Sequence, residues 1–102
     1  GLAIAVAIAS ALRGCPIPPG VALTGEITLR GRVLPVGGIR DKVLAAHREG
    51  FHTVVLPKDN LIDLRDLPGG VLETMTLIPV EVVDEAFAVV LSPIPVRKRT
   101  RG

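Results

Sequence analysis

Aromatic side chains are nearly missing from this 102-residue sequence, which has no Trp, no Tyr and two Phe. Aromatic rings usually carry much of a core's buried area, so a core built here must be aliphatic and rich in alanine. Cysteine is equally scarce. Cys15 stands alone, which excludes an intrachain disulfide and points to a reducing compartment, the cytoplasm. Two histidines beside that one cysteine give no Cys/His cluster with zinc spacing, so a structural metal is excluded. Long apolar runs are lacking too. The stretch from Gly1 to Leu12 is apolar but falls short of the about 20 residues that a membrane-spanning helix needs, and no membrane association is expected. It also lacks the charged segment that precedes the apolar part of a secretory signal. Leu12-Arg13-Gly14-Cys15 has the outline of a lipoprotein cleavage box, but an arginine fits that box poorly. The stretch reads instead as a buried helix. Its abrupt start, without Met or a capping residue, is what a chain that has lost its beginning would show.

What is present is apolar. Hydrophobic residues make up 48% of the chain, too many for a disordered segment, and the length suits one small domain or part of a larger one. The net charge of +2 conceals an asymmetry. Arg97, Lys98, Arg99 and Arg101 lie together at the end, and without them eight basic residues face ten acidic ones. The body is mildly acidic, and the basic tail alone raises the pI. Such a tail can touch nucleic acid or an acidic partner; a solvated, disordered terminus is the plainer expectation.

Periodicity and turn residues divide the chain. Leu2 to Arg13 reads as a helix apolar on nearly every face, hence one packed within the domain. Gly14 stops it, and Pro16, Pro18 and Pro19 prevent continuation. Val21 to Leu29 reads as a strand, with Val21, Leu23, Ile27 and Leu29 alternating with polar residues. Arg30-Gly31 makes a turn, and Val33 to Val36 forms a second strand of a hairpin. Gly37-Gly38 opens a helix from Ile39 to Glu49 with Ile39, Val43 and Ala46 as its inward stripe. Thr53 to Leu56 is a strand stopped by Pro57, and Asp59 or Asn60 is a candidate cap for a short helix through Arg65. A turn after Pro68-Gly69-Gly70 leads to a strand near Thr76 to Pro79. The last helix spans Asp84 to Leu91, and Pro93 and Pro95 end ordered structure. This alternation predicts a two-layer α/β or α+β arrangement, a sheet covered by helices.

Chemistry concentrates in one segment. Lys42 follows Ile39 by three residues and precedes Ala46 by four, at the edge of the buried helical stripe. A lysine there either reaches out to water or turns inward, where desolvation lets a neutral amine act as a general base. Thr24, on the polar face of the preceding strand, can hold such an amine by a hydrogen bond or be an ordinary strand threonine. Gly37-Gly38 before a helix can cradle an anion, but a phosphate-binding lysine and hydroxyl do not follow it. His47 and His52 read as partly exposed structural residues. Glu26 and Asp41 read as solvated, though Glu26 shares a strand face with Thr24. Arg30 and Arg32 flank the hairpin tip and can meet a neighbouring subunit.

The segment Thr24-Gly-Glu-Ile-Thr-Leu-Arg-Gly-Arg-Val-Leu-Pro-Val-Gly-Gly-Ile-Arg-Asp-Lys42 closely resembles the stretch around the catalytic lysine of Lon proteases. The similarity runs on through Ala45-Ala46-His47-Arg48, Val54 to Lys58 and the Val80 to Leu91 region. A run so long and ungapped is far more specific than a short motif. The resemblance implies the α+β fold of the Lon proteolytic domain without its first part, covering residues 1–95, with 96–102 as the basic tail. It implies a serine endopeptidase with a Ser–Lys dyad, in which Lys42 is the general base, Thr24 the hydroxyl supporting it, and Gly37-Gly38 the turn presenting the lysine helix.

In that family the nucleophilic serine sits in a Gly-Pro-Ser-Ala-Gly motif opening the first helix. Gly1-Leu2-Ala3 matches the residues after Ser-Ala, so the serine is expected two residues before Gly1 and is not in this sequence. Ser10, mid-helix, and Ser92, beside the terminal prolines, are no substitutes, and the isolated chain is expected to be inactive. The resemblance further implies ATP-dependent degradation of unfolded or regulatory proteins by a hexameric ring in the cytoplasm. ATP and Mg belong to a separate ATPase module, because these residues contain no Walker loop, and some relatives do without ATP. The alternative is a non-catalytic Lon-like module that assembles with partners or binds nucleic acid through its tail. Retention of both Thr24 and Lys42 favours descent from an active peptidase.

Overall fold

The computed structural model describes residues 1–91. The expectations for Ser92, the terminal prolines and the basic tail lie outside the described residues. Helix α1 covers Leu2–Arg13 and ends at Gly14, whose left-handed backbone (φ 66°) returns its N–H to the Ser10 carbonyl. Glycine adopts that conformation without a Cβ penalty, which is why the helix stops there. Strands β1 (Val21–Leu23), β2 (Glu26–Ile27) and β3 (Val33–Leu34) precede helix α2 (Ile39–Arg48) and strand β4 (Thr53–Pro57). A 3-10 helix (Lys58–Leu64), helix α3 (Gly69–Thr74), strand β5 (Thr76–Val80) and helix α4 (Val83–Val90) complete the order.

The fold is α+β. A three-stranded parallel sheet runs β1-β4-β5, and β2 and β3 pair separately as an antiparallel hairpin. The central strand shows how the core is divided. Alternate residues of a strand point to opposite faces, so Val54 and Leu56 join Ile39, Val43 and Ala46 of α2. Val55, between them, joins Leu2 and Val6 of α1 with Ala86 and Val90 of α4. Helices therefore cover both faces of the sheet, and β4 is buried from Val54 to Pro57. That burial accounts for its unbroken apolar run. Each fully buried Val or Leu contributes roughly 1.5–3 kcal/mol, and Leu2, Val6, Val43, Val55 and Leu56 are all at 0% exposure.

Four expectations are corrected. The predicted strand from Val21 to Leu29 is two strands in different sheets, because Gly25 breaks it. Gly25 has φ 146°, and a Cβ there would lie 3.0 Å from Val33 Cγ1 and 3.3 Å from Pro57 Cγ. A side chain there would be strained by the positive φ and would press Val33 and Pro57 to shift by a few tenths of an ångström. Neither Asp59 nor Asn60 caps the segment after β4, where Pro57 holds the cap position without a side-chain bond. The turn expected after Gly69-Gly70 is the short helix α3. Finally, the described residues pack α1 on one side only. Leu2 and Val6 are buried, whereas Ile4, Ile8 and Leu12 are 64%, 56% and 83% exposed. Apolar composition says which residues tolerate burial; the sheet and α4 cover only one face of this helix.

Candidate active site at the carboxyl edge of the sheet

The two residues singled out from the sequence are carried to one edge by topology. Strands β1 and β4 are parallel neighbours, so the chain between them must return to its starting edge. Helix α2 makes that return, and its first turns therefore stand where β1 ends. Thr24 is the next residue after β1, and its N–H continues the ladder to the Val55 carbonyl at 3.0 Å. Val21 and Leu23 pack with α1 and α4, and Ala22 packs with α2. The period of two thus puts Thr24 on the α2 face.

Helix α1 reaches the same edge from the opposite face. The Leu2 N–H donates to the Gly25 carbonyl at 2.8 Å, fixing the start of α1 one residue beyond Thr24. A Cβ on Gly1 would lie 2.8 Å from that carbonyl oxygen and 3.7 Å from Oε1 of Glu26, so an acidic side chain also borders the helix opening. The start of α1, Thr24 and the opening of α2 are therefore gathered at one rim.

The lysine helix begins at Gly38, which has φ 70° and no side-chain cap. The Lys42 N–H bonds the Gly38 carbonyl at 3.0 Å, placing Lys42 one turn inside the helix. The stripe expected to face inward does so, with Ile39, Val43 and Ala46 at 3%, 0% and 9% exposure. Lys42 at its edge is exposed and Thr24 is half-buried. Among the described residues, no hydrogen bond or ion pair reaches the Lys42 amine, and none joins it to Thr24.

The other candidates have local roles. The His47 ring meets Thr74 Oγ1 at 3.2 Å and the His52 ring meets Thr53 Oγ1 at 2.8 Å; both histidines are exposed. The Ser10 hydroxyl donates to the Cys15 carbonyl at 2.6 Å, which ties it to the end of α1. Arg30 and Arg32 stand exposed on the hairpin, whose tip is closed by Thr28 accepting both of their backbone N–H groups. The residue that sequence reasoning misjudged is Asn60. It is 2% exposed and bonds the backbone of Val36, immediately before the Gly37-Gly38 turn. An Asn after a strand and a proline reads locally as a cap, and no local signal shows a partner 24 residues away.

A protein-family model described as "Lon protease (S16) C-terminal proteolytic domain" matches residues 1–93. The chain belongs to this family. It is 54% identical over 93 residues to a Lon protease of Chloroflexus aurantiacus, covering 91% of this chain and 11% of that protein. A Lon protease of Brevibacillus choshinensis is 50% identical over 96 residues, 94% of this chain and 12% of the relative. Lon protease 1 of Thermus thermophilus is 51% identical over 87 residues, 85% of this chain and 11% of the relative. The chain thus spans about a tenth of the length of the curated relatives it matches. The matched part of that domain comprises helix α2 and the parallel sheet it packs on. No helix among the described residues is long and apolar enough to cross a membrane.

Proposed function

We propose that this chain is the lysine-bearing part of a Lon-type serine endopeptidase, working by a Ser–Lys dyad on unfolded or regulatory proteins. Lys42 is the general base and Thr24 orients its amine, while the nucleophilic serine comes from residues ahead of Gly1. The observation that supports this most directly is the bond from Leu2 N–H to the Gly25 carbonyl. It ties the opening of α1, where the family's serine motif would lead in, to the rim that also holds Thr24 and the first turns of α2.

The chemistry rests on that arrangement. A neutral Lys42 amine takes the proton of the serine hydroxyl, and the oxygen attacks the peptide carbonyl to form a tetrahedral oxyanion. Collapse expels the amine of the leaving peptide, which receives the proton from Lys42, and leaves an acyl-enzyme. Water, deprotonated by the same amine, then attacks the acyl carbonyl, and the serine oxygen leaves with that proton as the acid is released. Backbone N–H groups at a helix opening suit the oxyanion. The Leu2 N–H is already spent on Gly25, so the donors come from residues ahead of it. A neutral amine requires desolvation. In this proposal the serine-bearing segment and the bound substrate supply the cover over the exposed Lys42. ATP hydrolysis and its Mg belong to a module outside this chain, and assembly as a cytoplasmic hexameric ring is part of the same reading.

The test is hydrolysis of an unfolded protein and of a short peptide by the full-length protein carrying this chain. Loss of a general base lowers kcat by about 10²–10⁴-fold, and Lys42→Ala is expected in that range with folding intact. Thr24→Val should fall less, and Thr24→Ser should recover most of the loss. Full activity in Lys42→Ala would refute the dyad and favour a non-catalytic module.

A further inference from the structure

We propose that Asn60 is a positioning residue for Lys42, acting through the backbone of Val36; the inference rests on Lys42 being the base. Asn60 is the buried polar residue of the described core, 2% exposed, and both N–H donors and the oxygen of its amide are engaged. Its Oδ1 accepts the Val36 N–H at 2.9 Å, and its Nδ2 donates to the Val36 carbonyl at 3.0 Å and to Asp63 Oδ2 at 3.1 Å. The side chain pairs with Val36 as a neighbouring strand would, satisfying both backbone groups of one residue. A flipped amide would set two donors against each other at the Val36 N–H, so the pairing also fixes the amide's orientation.

The consequence lies in the turn after Val36. Gly37 and Gly38 have open space where a Cβ would be, and α2 has no side-chain cap. The turn thus has no side chain of its own to pack and no side-chain hydrogen bond capping the helix that follows. Burial of Ile39 holds the first turn of α2 against the sheet, but apolar contact is non-directional and permits sliding. The two hydrogen bonds from Asn60 are directional and fix the point from which α2 departs. Lys42 is bonded to Gly38 one turn on, so the height of its amine along the rim depends on where Val36 is held. Asn60 comes three residues after the end of β4. It thus references the lysine helix to the central strand of the sheet that also carries Thr24.

The experiment uses the full-length protein with Lys42→Ala, Asn60→Ala and Asn60→Asp. Peptide hydrolysis is measured across pH, well below each variant's melting temperature. Asn60→Asp keeps the acceptor for the Val36 N–H, loses the donor to the carbonyl, and sets a carboxylate against Asp63. Misplacement of a reacting group by about 1 Å can lower a rate on the order of 10²-fold. Both Asn60 variants should lose kcat on that scale with KM little changed, and the pH dependence of kcat should move. A residue needed only for stability would lower the melting temperature and leave kcat and its pH profile at the wild-type values; that result overturns the proposal. Should Asn60→Ala fail to fold, Asn60→Asp decides by the same comparison. Full activity in Lys42→Ala refutes the dyad itself, whereas an inactive Lys42→Ala beside fully active Asn60 variants refutes only the positioning role.

Discussion

The two faces of the parallel sheet are finished differently. On the α2 face, apolar packing is joined by a polar clamp: Ile39, Val43 and Ala46 meet Val54 and Leu56, and Asn60 fixes the approach to the helix. On the α1 face the packing is apolar, from Leu2, Val6, Val55, Ala86 and Val90. A second stripe of α1, Ile4, Ile8 and Leu12, is left uncovered by the described residues. The contrast shows that burial and placement are separate problems. Hydrophobic contact secures both helices, whereas the helix proposed to carry the base also has a directional anchor near its start.

Substitutions can break this comparison at graded strength. The largest stability effect is expected at the shared strand. Leu56→Ala empties a fully buried site and should destabilise by about 2–5 kcal/mol, read by denaturant unfolding. Gly25→Ala should come next at roughly 1–3 kcal/mol for the backbone alone. Its Cβ must also displace Val33 and Pro57, and the rim should be disturbed with it. On α1 the stripes should separate. Val6→Ala should destabilise clearly, while Ile8→Ala on the exposed stripe of this chain should stay within about 0.5 kcal/mol. Equal losses at Val6 and Ile8 would contradict the asymmetry between the two stripes.

Smaller effects test the surface links. Arg40 and Asp66 form a 2.8 Å ion pair with side chains 43% and 82% exposed. Arg40→Ala should change stability by about 0–1 kcal/mol, far less than removing Asn60, although both connect α2 to the segment after β4. At the start of α4, Glu85 accepts the N–H groups of Glu81 at 2.6 Å and Val82 at 3.1 Å. The bond from Glu81 holds its carboxyl below the usual glutamate range, the bond from Val82 adds to this, and Lys58 contributes less. A depressed folded-state pKa stabilises above the unfolded value and loses that contribution as pH falls through the folded one. Stability should therefore be full at neutral pH and decline in acid, and Glu85→Gln should flatten that part of the acid limb in a pH series of melts.

Much of the fold was legible because local signals agreed with tertiary ones. Gly14 ended α1 as expected, the stripe of Ile39, Val43 and Ala46 faced inward, and the strands expected at Thr53 and Thr76 began at those β-branched residues. The failures share a cause. Gly25 looked like one weak position in an alternating strand, because the close approach of Val33 and Pro57 comes from distant sequence. Asn60 looked like a cap because its partner, Val36, lies 24 residues away. The apolar face of α1 announced burial without saying what does the covering. Of the candidate site, the identities of Thr24 and Lys42 came from resemblance to a family, while the placement of β1's end and α2's first turns at one rim required the parallel order of β1 and β4.

The most direct test of the account is to locate the nucleophile chemically. The full-length protein would be treated with a fluorophosphonate that phosphonylates activated serines, then digested and read by mass spectrometry. The adduct is expected on a serine two residues ahead of Gly1, with labelling lost in Lys42→Ala. An adduct on Ser10 or Ser92, or labelling unchanged by Lys42→Ala, would contradict a dyad assembled at the carboxyl edge of this sheet.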